Sequence, residues 1–476
     1  MSEMKVNFEC YDTPEQAGIS SKGLCAFLDA AAENAEKVQF HSMILLRHGK
    51  QVCRLNWQPY DDRTPHMLFS LSKSFTSAAA GFAVAEGLLK WNSPVTEILP
   101  EEIPEGREEE LRAVTLENLL SMGSGLAEES DSPSPDPKVT WAGHVLSHPV
   151  KYPPMSHFHY NTFGTYLVSC MVQKVTGMTI RDYLLPRLFT PLGISKPEWD
   201  LSPEGICCGG FGLHLTSEDI ARFGQCLLQK GMWQGKRILP EGWVELATSE
   251  HIANYDGERQ PGNEWGQGYG FQFWRCMDGR YRGDGAFGQV CMVDEKRDAV
   301  LAVTCATGDM GAEFKLIREY LFAAFDIEDG TEADQAAFKE KSAKLGYGLK
   351  ETDDGTAVSL PEGEYRTEYE GYPVVLSLKG FFGDMIRMEL RFGELERDAF
   401  HFYLSHGRTA LAAVNPYQQT RFFGSYIWNN GRLCFDLRTI DGPDTLQGAF
   451  SWTEKEVIFD GVGIGCPGGH VVFERI

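Results

Sequence analysis

The sequence predicts an α/β protein in two parts: an antiparallel sheet flanked by helices and carrying an inserted helical region, then a small barrel-like all-β domain. Three observations lead there. Apolar, strand-like segments stand at both ends of residues 1–327, with helical patterns between them. Residues 328–357 are acidic and polar and read as a linker. From 358 to 476, short alternating segments are punctuated by Gly and Asn turns, the texture of an antiparallel β domain.

Taken in order, His41–Arg47 is an apolar strand, His48-Gly49-Lys50 a turn and Gln51–Leu55 its partner strand. The Ala- and Phe-rich stretch Ser74–Leu89 is a buried helix closed near Glu86-Gly87. Helical patterns then run from Val95 to Lys230, broken by Pro-rich loops at Ser132–Pro137 and Pro149–Pro154; Tyr166–Val175 and Leu215–Gln229 are the clearest amphipathic pieces. Strand character returns at Gly268–Trp274, Gly288–Val293 and Ala299–Thr304, and a helix follows from Phe314 to Phe325. A short helix is expected around Ala333–Leu345. Alternating strands follow at Tyr372–Leu378, Arg432–Arg438, Glu456–Phe459 and His470–Glu474.

Composition narrows the function. The 476 residues are 42% apolar and carry 67 acidic against 44 basic side chains, a formal charge of −23. That balance excludes nucleic acid and anionic membrane surfaces as partners, since phosphate binding needs clustered Lys and Arg. No apolar run is long enough to span a bilayer, and Met1–Lys5 leads into polar sequence without a signal-peptide core. The twelve cysteines include no Cys-x-x-Cys pair, and several sit in apolar runs, as buried thiols do in a reducing cytoplasm. A cytoplasmic location is expected.

The chemistry starts at Ser70-Leu71-Ser72-Lys73. A serine and a lysine three residues apart share one face of a helix, so the amine reaches the hydroxyl and can activate it without a histidine. Alone, this spacing arises by chance in a chain of this length. Tyr160, on a loop after Pro153-Pro154 and ahead of an apolar helix, could accept the serine proton if an ammonium lowered its pKa; an arbitrary loop tyrosine is the blander account. Gly283–Gln289 leads into a strand and could bring backbone N–H groups to a carbonyl, or could simply turn a hairpin. His157-x-His159 lacks the acidic or thiol partners of a metal site, and no metal or organic cofactor is expected. Gly266-x-Gly268-x-Gly270 and Gly461-x-Gly463-x-Gly465 run into strands, whereas a dinucleotide fingerprint needs a helix start.

The order of these segments resembles the serine β-lactamase-related hydrolases: class C β-lactamases, D,D-peptidases, and the esterases and amidases of that fold. The matching stretches are Phe69–Phe75, Thr115–Leu120 with Gly123–Leu126, Phe158–Gly177, Gly209–Leu213 with Glu218–Phe223, and Tyr269–Phe271. The resemblance implies the β-lactamase/transpeptidase-like fold over residues 1–327. It makes Ser70 the acylated nucleophile, Lys73 its activating partner and Tyr160 the base for acylation and acid for the leaving group. The backbone N–H groups of Ser70 and Phe287 would form the oxyanion hole. Asn161, Asp284, Gly285 and Ala286 would contact substrate.

Two departures from the family's pattern stand out. Its Tyr-x-Asn is here Tyr160-Asn161-Thr162, so an orienting amide is not where the pattern puts it. Its third motif, Lys or His, any residue, then Gly, is here Asp284-Gly285-Ala286. A cation at the first position would hold a substrate carboxylate, whereas an aspartate would repel it. β-Lactams and carboxy-terminal peptides are therefore disfavoured, and an ester, an amide or an amine-bearing substrate is favoured. The expectation is a serine hydrolase acting on a small ester, amide or peptide-like molecule through an acyl-enzyme. Acyl transfer from the same intermediate is the first alternative, and a catalytically weak ligand-binding protein on the same fold the second.

Overall fold

The computed structural model describes residues 7–259, 261–327, 329–349, 351–369, 371–393, 399–414, 421–465 and 468–476. The reading of Met1–Lys5 lies outside them. Labels below number the elements that position the site.

Six antiparallel strands form the first sheet: β1 (Val38–Arg47), β2 (Lys50–Asn56), β3 (Trp274–Arg275), β4 (Tyr281–Gly285), β5 (Gln289–Asp294) and β6 (Ala299–Thr307), in the order β2-β1-β6-β5-β4-β3. Strand β1 is buried at every position because both faces of the sheet are covered. Met43 and Leu45 face one core with Phe27 of helix α1 (Ser21–Glu33) and Phe314 of α5 (Met310–Leu316). Ile44 and Leu46 face the other core with Phe75 of α2 (Ser72–Ala85) and Phe223 of α4 (Ser217–Leu228). The inserted helical region sits on that second side and includes α3 (Thr162–Thr176).

Helix α2 is lined with small residues and is buried from Ser72 through Ala83, so no polar stripe marks its outer face. The same small side chains let Trp243 press against Gly81.

Two expectations for this sheet need correction. Of the segment Gly268–Trp274 only Trp274 is in a strand; Gly268 and Gln272 take positive φ (98° and 65°) and turn the chain. Conversely, Tyr281–Gly285 is a strand although Gly283, Asp284 and Gly285 are poor strand formers. It is held by the ladder from β5, where Cys291 pairs with Gly283 and Val290 with Asp284. The glycines serve a second purpose: a Cβ at Gly283 would overlap Ser74 Oγ, and one at Gly285 would overlap the Leu68 carbonyl. Strand β4 thus packs directly on the start of α2.

Within 328–357, helix α6 (Glu332–Ala343) opens on a Thr331–Asp334 capping box and buries Phe338 in the α1 and α5 layer. Among the described residues ten strands follow: β7 (Gly363–Tyr369), β8 (Tyr372–Phe382), β9 (Met385–Phe392), β10 (Ala399–His406), β11 (Ala410–Val414), β12 (Arg421–Asn429), β13 (Arg432–Thr439), β14 (Thr445–Trp452), β15 (Glu456–Ile464) and β16 (Gly469–Arg475). Each pairs antiparallel with its neighbour in the order β10-β9-β8-β7-β16-β15-β14-β13-β12-β11. A parallel contact of Ser405 and His406 with Ser425 and Tyr426 closes nine of them into a barrel, which leaves few free edges. The barrel has its own core and touches the first sheet through Arg438, whose guanidinium donates to Gln39 Oε1 (2.5 Å) and to Asp436 (2.9 Å). The Met67 N–H, three residues before Ser70, donates to the Asp441 carbonyl.

Candidate active site

Ser70 lies in the tight turn that opens into α2 and is half-buried. Phe69 ahead of it has φ 47°, and Phe287 in the β4–β5 turn has φ 65°. Both are bulky residues in the left-handed region, at a cost of about 1–3 kcal/mol each. Their rings pack together at 5.2 Å between centroids, which helps hold both turns. Among the described residues neither the Ser70 nor the Phe287 N–H has a backbone acceptor outside its own element.

Lys73, one turn along α2, is 1% exposed. Its Nζ contacts Ser70 Oγ at 2.9 Å, the Gly210 carbonyl at 2.8 Å and Thr162 Oγ1 at 3.2 Å. Burial lowers its pKa to about 7, against the opposing pull of Asp131 and Asp284. At neutral pH a large share of this amine is therefore unprotonated.

Tyr160 brings its ring to 4.8 Å from Lys73 Nζ and stacks on Trp274 (5.3 Å, 16°). Phe158, Tyr269, Met122 and Ile252 complete an apolar wall around it. Burial raises the phenol's pKa, the Asp284 charge raises it further, and the nearby Ser70 hydroxyl offsets part of this. The phenol is thus neutral across the physiological range. A neutral phenol is at odds with the proton-accepting role expected of Tyr160, since Lys73, about half uncharged near pH 7, gives a phenolate limited stabilisation.

The site residues expected from sequence divide clearly. Ser70, Lys73, Tyr160 and the Phe287 turn come together. Asn161 does not face the site. It is the N-cap of α3, with Oδ1 accepting from the Gly164 N–H (2.5 Å) and Nδ2 donating to Ser130 Oγ (2.7 Å). The Asn161→Ala variant is expected to lose about 1 kcal/mol of stability with KM unchanged, measured by thermal unfolding and ester kinetics. A rise in KM of ~tenfold would instead put the amide on substrate. Beside Tyr160, the side chain of this motif that meets Lys73 is Thr162.

Asp284 also differs from expectation. Gly283 and Gly285 face α2, so Asp284 faces the other side of β4 beside Arg282, whose Nε donates to it at 2.9 Å. Arg282 is fully buried, lies 4.3 Å from the Phe314 ring and also donates to the Glu264 carbonyl and Cys276 Sγ. The aspartate is 6% exposed and ion-paired. Direct repulsion of substrate is therefore not its role; it acts through space on Lys73 and Tyr160. Gly285 is buried and its carbonyl accepts from the Gly288 N–H, so of Asp284-Gly285-Ala286 only Ala286 is exposed.

Sequence reasoning missed Arg282, Thr162 and the Gly210 carbonyl. Arg282-x-Asp284 carried a signal, since residues i and i+2 share a strand face. Gly210 was visible only as part of a motif: a Cβ there would overlap the Thr162 carbonyl, so glycine is what lets this loop reach Lys73.

A family model described as Beta-lactamase matches residues 30–324, more than half of the chain. The chain belongs to the beta-lactamase family. Among curated relatives of this beta-lactamase-family protein is a 6-aminohexanoate-dimer hydrolase of Paenarthrobacter ureafaciens, 23% identical over 310 residues, covering 61% of this chain and 78% of that one. A penicillin-binding protein homologue from Caulobacter crescentus has a similar fold (TM-score 0.51, 18% identity, 67% of this chain and 99% of that one). So has EstCE1, described as a hydrolase with promiscuous acyltransferase activity (TM-score 0.52, 15% identity, 64% and 99%). The enzyme is a serine hydrolase of this family. Among the described residues, no helix is long and apolar enough to cross a membrane.

Proposed function

We propose that this enzyme cleaves an uncharged ester or amide through an acyl-enzyme on Ser70, with Lys73 as the base that activates it and Tyr160 as the acid for the leaving group. The observation that carries the reading is the 2.9 Å contact between Ser70 Oγ and an amine whose pKa sits near 7. A base poised near the working pH is the most effective one. As Oγ attacks the acyl carbon, its proton passes to Lys73 Nζ. The carbonyl oxygen gathers negative charge opposite the Ser70 and Phe287 N–H groups, donors worth about 2.7–4 kcal/mol each where they have been removed from other enzymes. Tyr160, neutral and beside Lys73, gives its proton to the departing oxygen or nitrogen and recovers one from the Lys73 ammonium. Water then repeats the attack with the acyl group as target and releases the acid.

Two features support an uncharged substrate. The family's carboxylate-holding cation is replaced by the buried Arg282–Asp284 pair, and the wall around Tyr160 is aromatic. A p-nitrophenyl ester is expected to turn over faster than a chromogenic cephalosporin; the reverse order would overturn the substrate assignment. Added alcohol that diverts product from acid to ester would identify acyl transfer from the same intermediate.

The pH profile tests the base. Lys73 must be neutral to accept the proton, so kcat/KM for the ester should rise with pH through about 7 and then level off. Asp284 favours the charged amine, so the Asp284→Asn variant should move this acid limb to lower pH. A limb that stays in place would separate it from Lys73.

A further inference from the structure

The barrel is filled at one end and hollow at the other. Toward the end where β9 and β13 begin, Leu376, Leu378, Ile386, Leu404 and Leu433 close the interior, each 1% exposed or less. Toward the end where β7 and β9 finish and β14 and β16 begin, side chains from eight strands leave about 50 Å³ for the centre of a water-sized sphere. One water needs roughly 10–15 Å³ on that measure, so the space suits about four waters or a few carbon atoms. A barrel of about eight strands is just wide enough either to be filled by its own side chains or to hold one small ligand. With nine strands closing this barrel, the side chains present leave part of its interior open.

The chemistry of the walls sets the ligand class. Phe402, Phe450, Phe459 and Phe473 surround the space, and its lining is almost wholly apolar. A hydroxyl, amide or charge placed there would lose its water without gaining a partner, at a cost of several kcal/mol. Polar atoms appear only toward the rim, at the half-buried Thr367 and Tyr369. We propose that the barrel interior is a binding site for a short unbranched alkyl chain, inserted tail first with its polar end held at the Thr367–Tyr369 rim.

Met388 lines the cavity and is 1% exposed, and the sequence holds 14 methionines, so the methyl groups of methionine report the position of a ligand. The full-length enzyme is labelled with ¹³C-methyl methionine, the Met388 signal is assigned with Met388→Leu, and 1-hexanol, sodium hexanoate and 1,6-hexanediol are titrated in turn. The site predicts a saturable shift of the Met388 signal with hexanol or hexanoate, weaker by at least ~tenfold for the diol, whose second hydroxyl would be buried. Hexanol alone acting would point to a neutral headgroup at the rim, and both acting to a free carboxylate or alcohol. Leu446→Trp, which fills the cavity from β14, should abolish the shift while ester turnover stays at the wild-type rate; Val471→Phe serves if that variant does not fold. No saturable change at Met388, or equal drift of all the methionines, would overturn the proposal.

Discussion

The Lys73→Met variant is expected to lose ~10²–10⁴ of kcat/KM on a p-nitrophenyl ester, the range a positioned base contributes, and Lys73→Arg is expected to fall just as far. The arginine result is the informative one. A guanidinium keeps its charge at all working pH values and accepts no proton. If Lys73 served only to stabilise a Tyr160 phenolate, arginine would retain much of the activity. Because burial holds the amine near pKa 7 and pushes the phenol upward, the proposed mechanism gives the two groups divided roles, and arginine fits neither. Tyr160→Phe should then behave differently from both. With p-nitrophenolate, a leaving group that departs unaided, its loss should be small. With an alkyl ester or an anilide, which must be protonated to leave, turnover should collapse. Steady-state kinetics across a leaving-group series reads both outcomes.

The second large effect is on stability. Asp284→Ala strips Arg282 of its nearer carboxylate partner, leaving the fully buried guanidinium only the longer, 3.9 Å contact with Glu264. Breaking a buried ion pair from one side costs about 3–5 kcal/mol, which lowers the melting temperature of the catalytic domain by on the order of 10 °C. The double variant Arg282→Met with Asp284→Leu removes both charges and should melt closer to wild type than the single variant. If the single variant is as stable as wild type, the pair is not holding β4. The same reasoning shows why a lysine at position 284 is a poor route to β-lactam activity: it would set two cations together in a site with little water. Glu313 adds to the crowding. Its carboxyl is fully buried against Gly288, and burial, with the Asp284 charge, holds it well above the usual carboxylate range and so neutral.

How much of this was legible in the sequence depended on whether a feature was local. Ser70 and Lys73 were readable because helical spacing alone brings them together. Strands β1, β5 and β6 were readable because burial on both faces writes continuous apolar runs. Strand β4 was not, since Gly283 and Gly285 are chosen for close approach to Ser74 and Leu68, and that requirement hides the strand. Tyr160 stood out only through resemblance, because its meeting with Lys73 is a tertiary event. Asn161 was misplaced for a related reason: Asn is equally apt as a helix cap, and only the Gly164 and Ser130 partners reveal which use is made of it. The charge at Asp284 was visible but its neutralisation was not weighed, although Arg282 lies two residues away on the same face. Asp436 and Arg438 repeat that spacing in the barrel, again as a buried pair.

The central claim is that one hydroxyl carries the acyl group. Incubation with a fluorophosphonate or a slowly turned-over ester, followed by intact-mass measurement and peptide mapping, tests it most directly. The expected result is a single adduct on the peptide containing Ser70, formed far more slowly in Lys73→Met and absent in Ser70→Ala. An adduct on another residue, or a Ser70→Ala variant that still turns over ester at the wild-type rate, would contradict it.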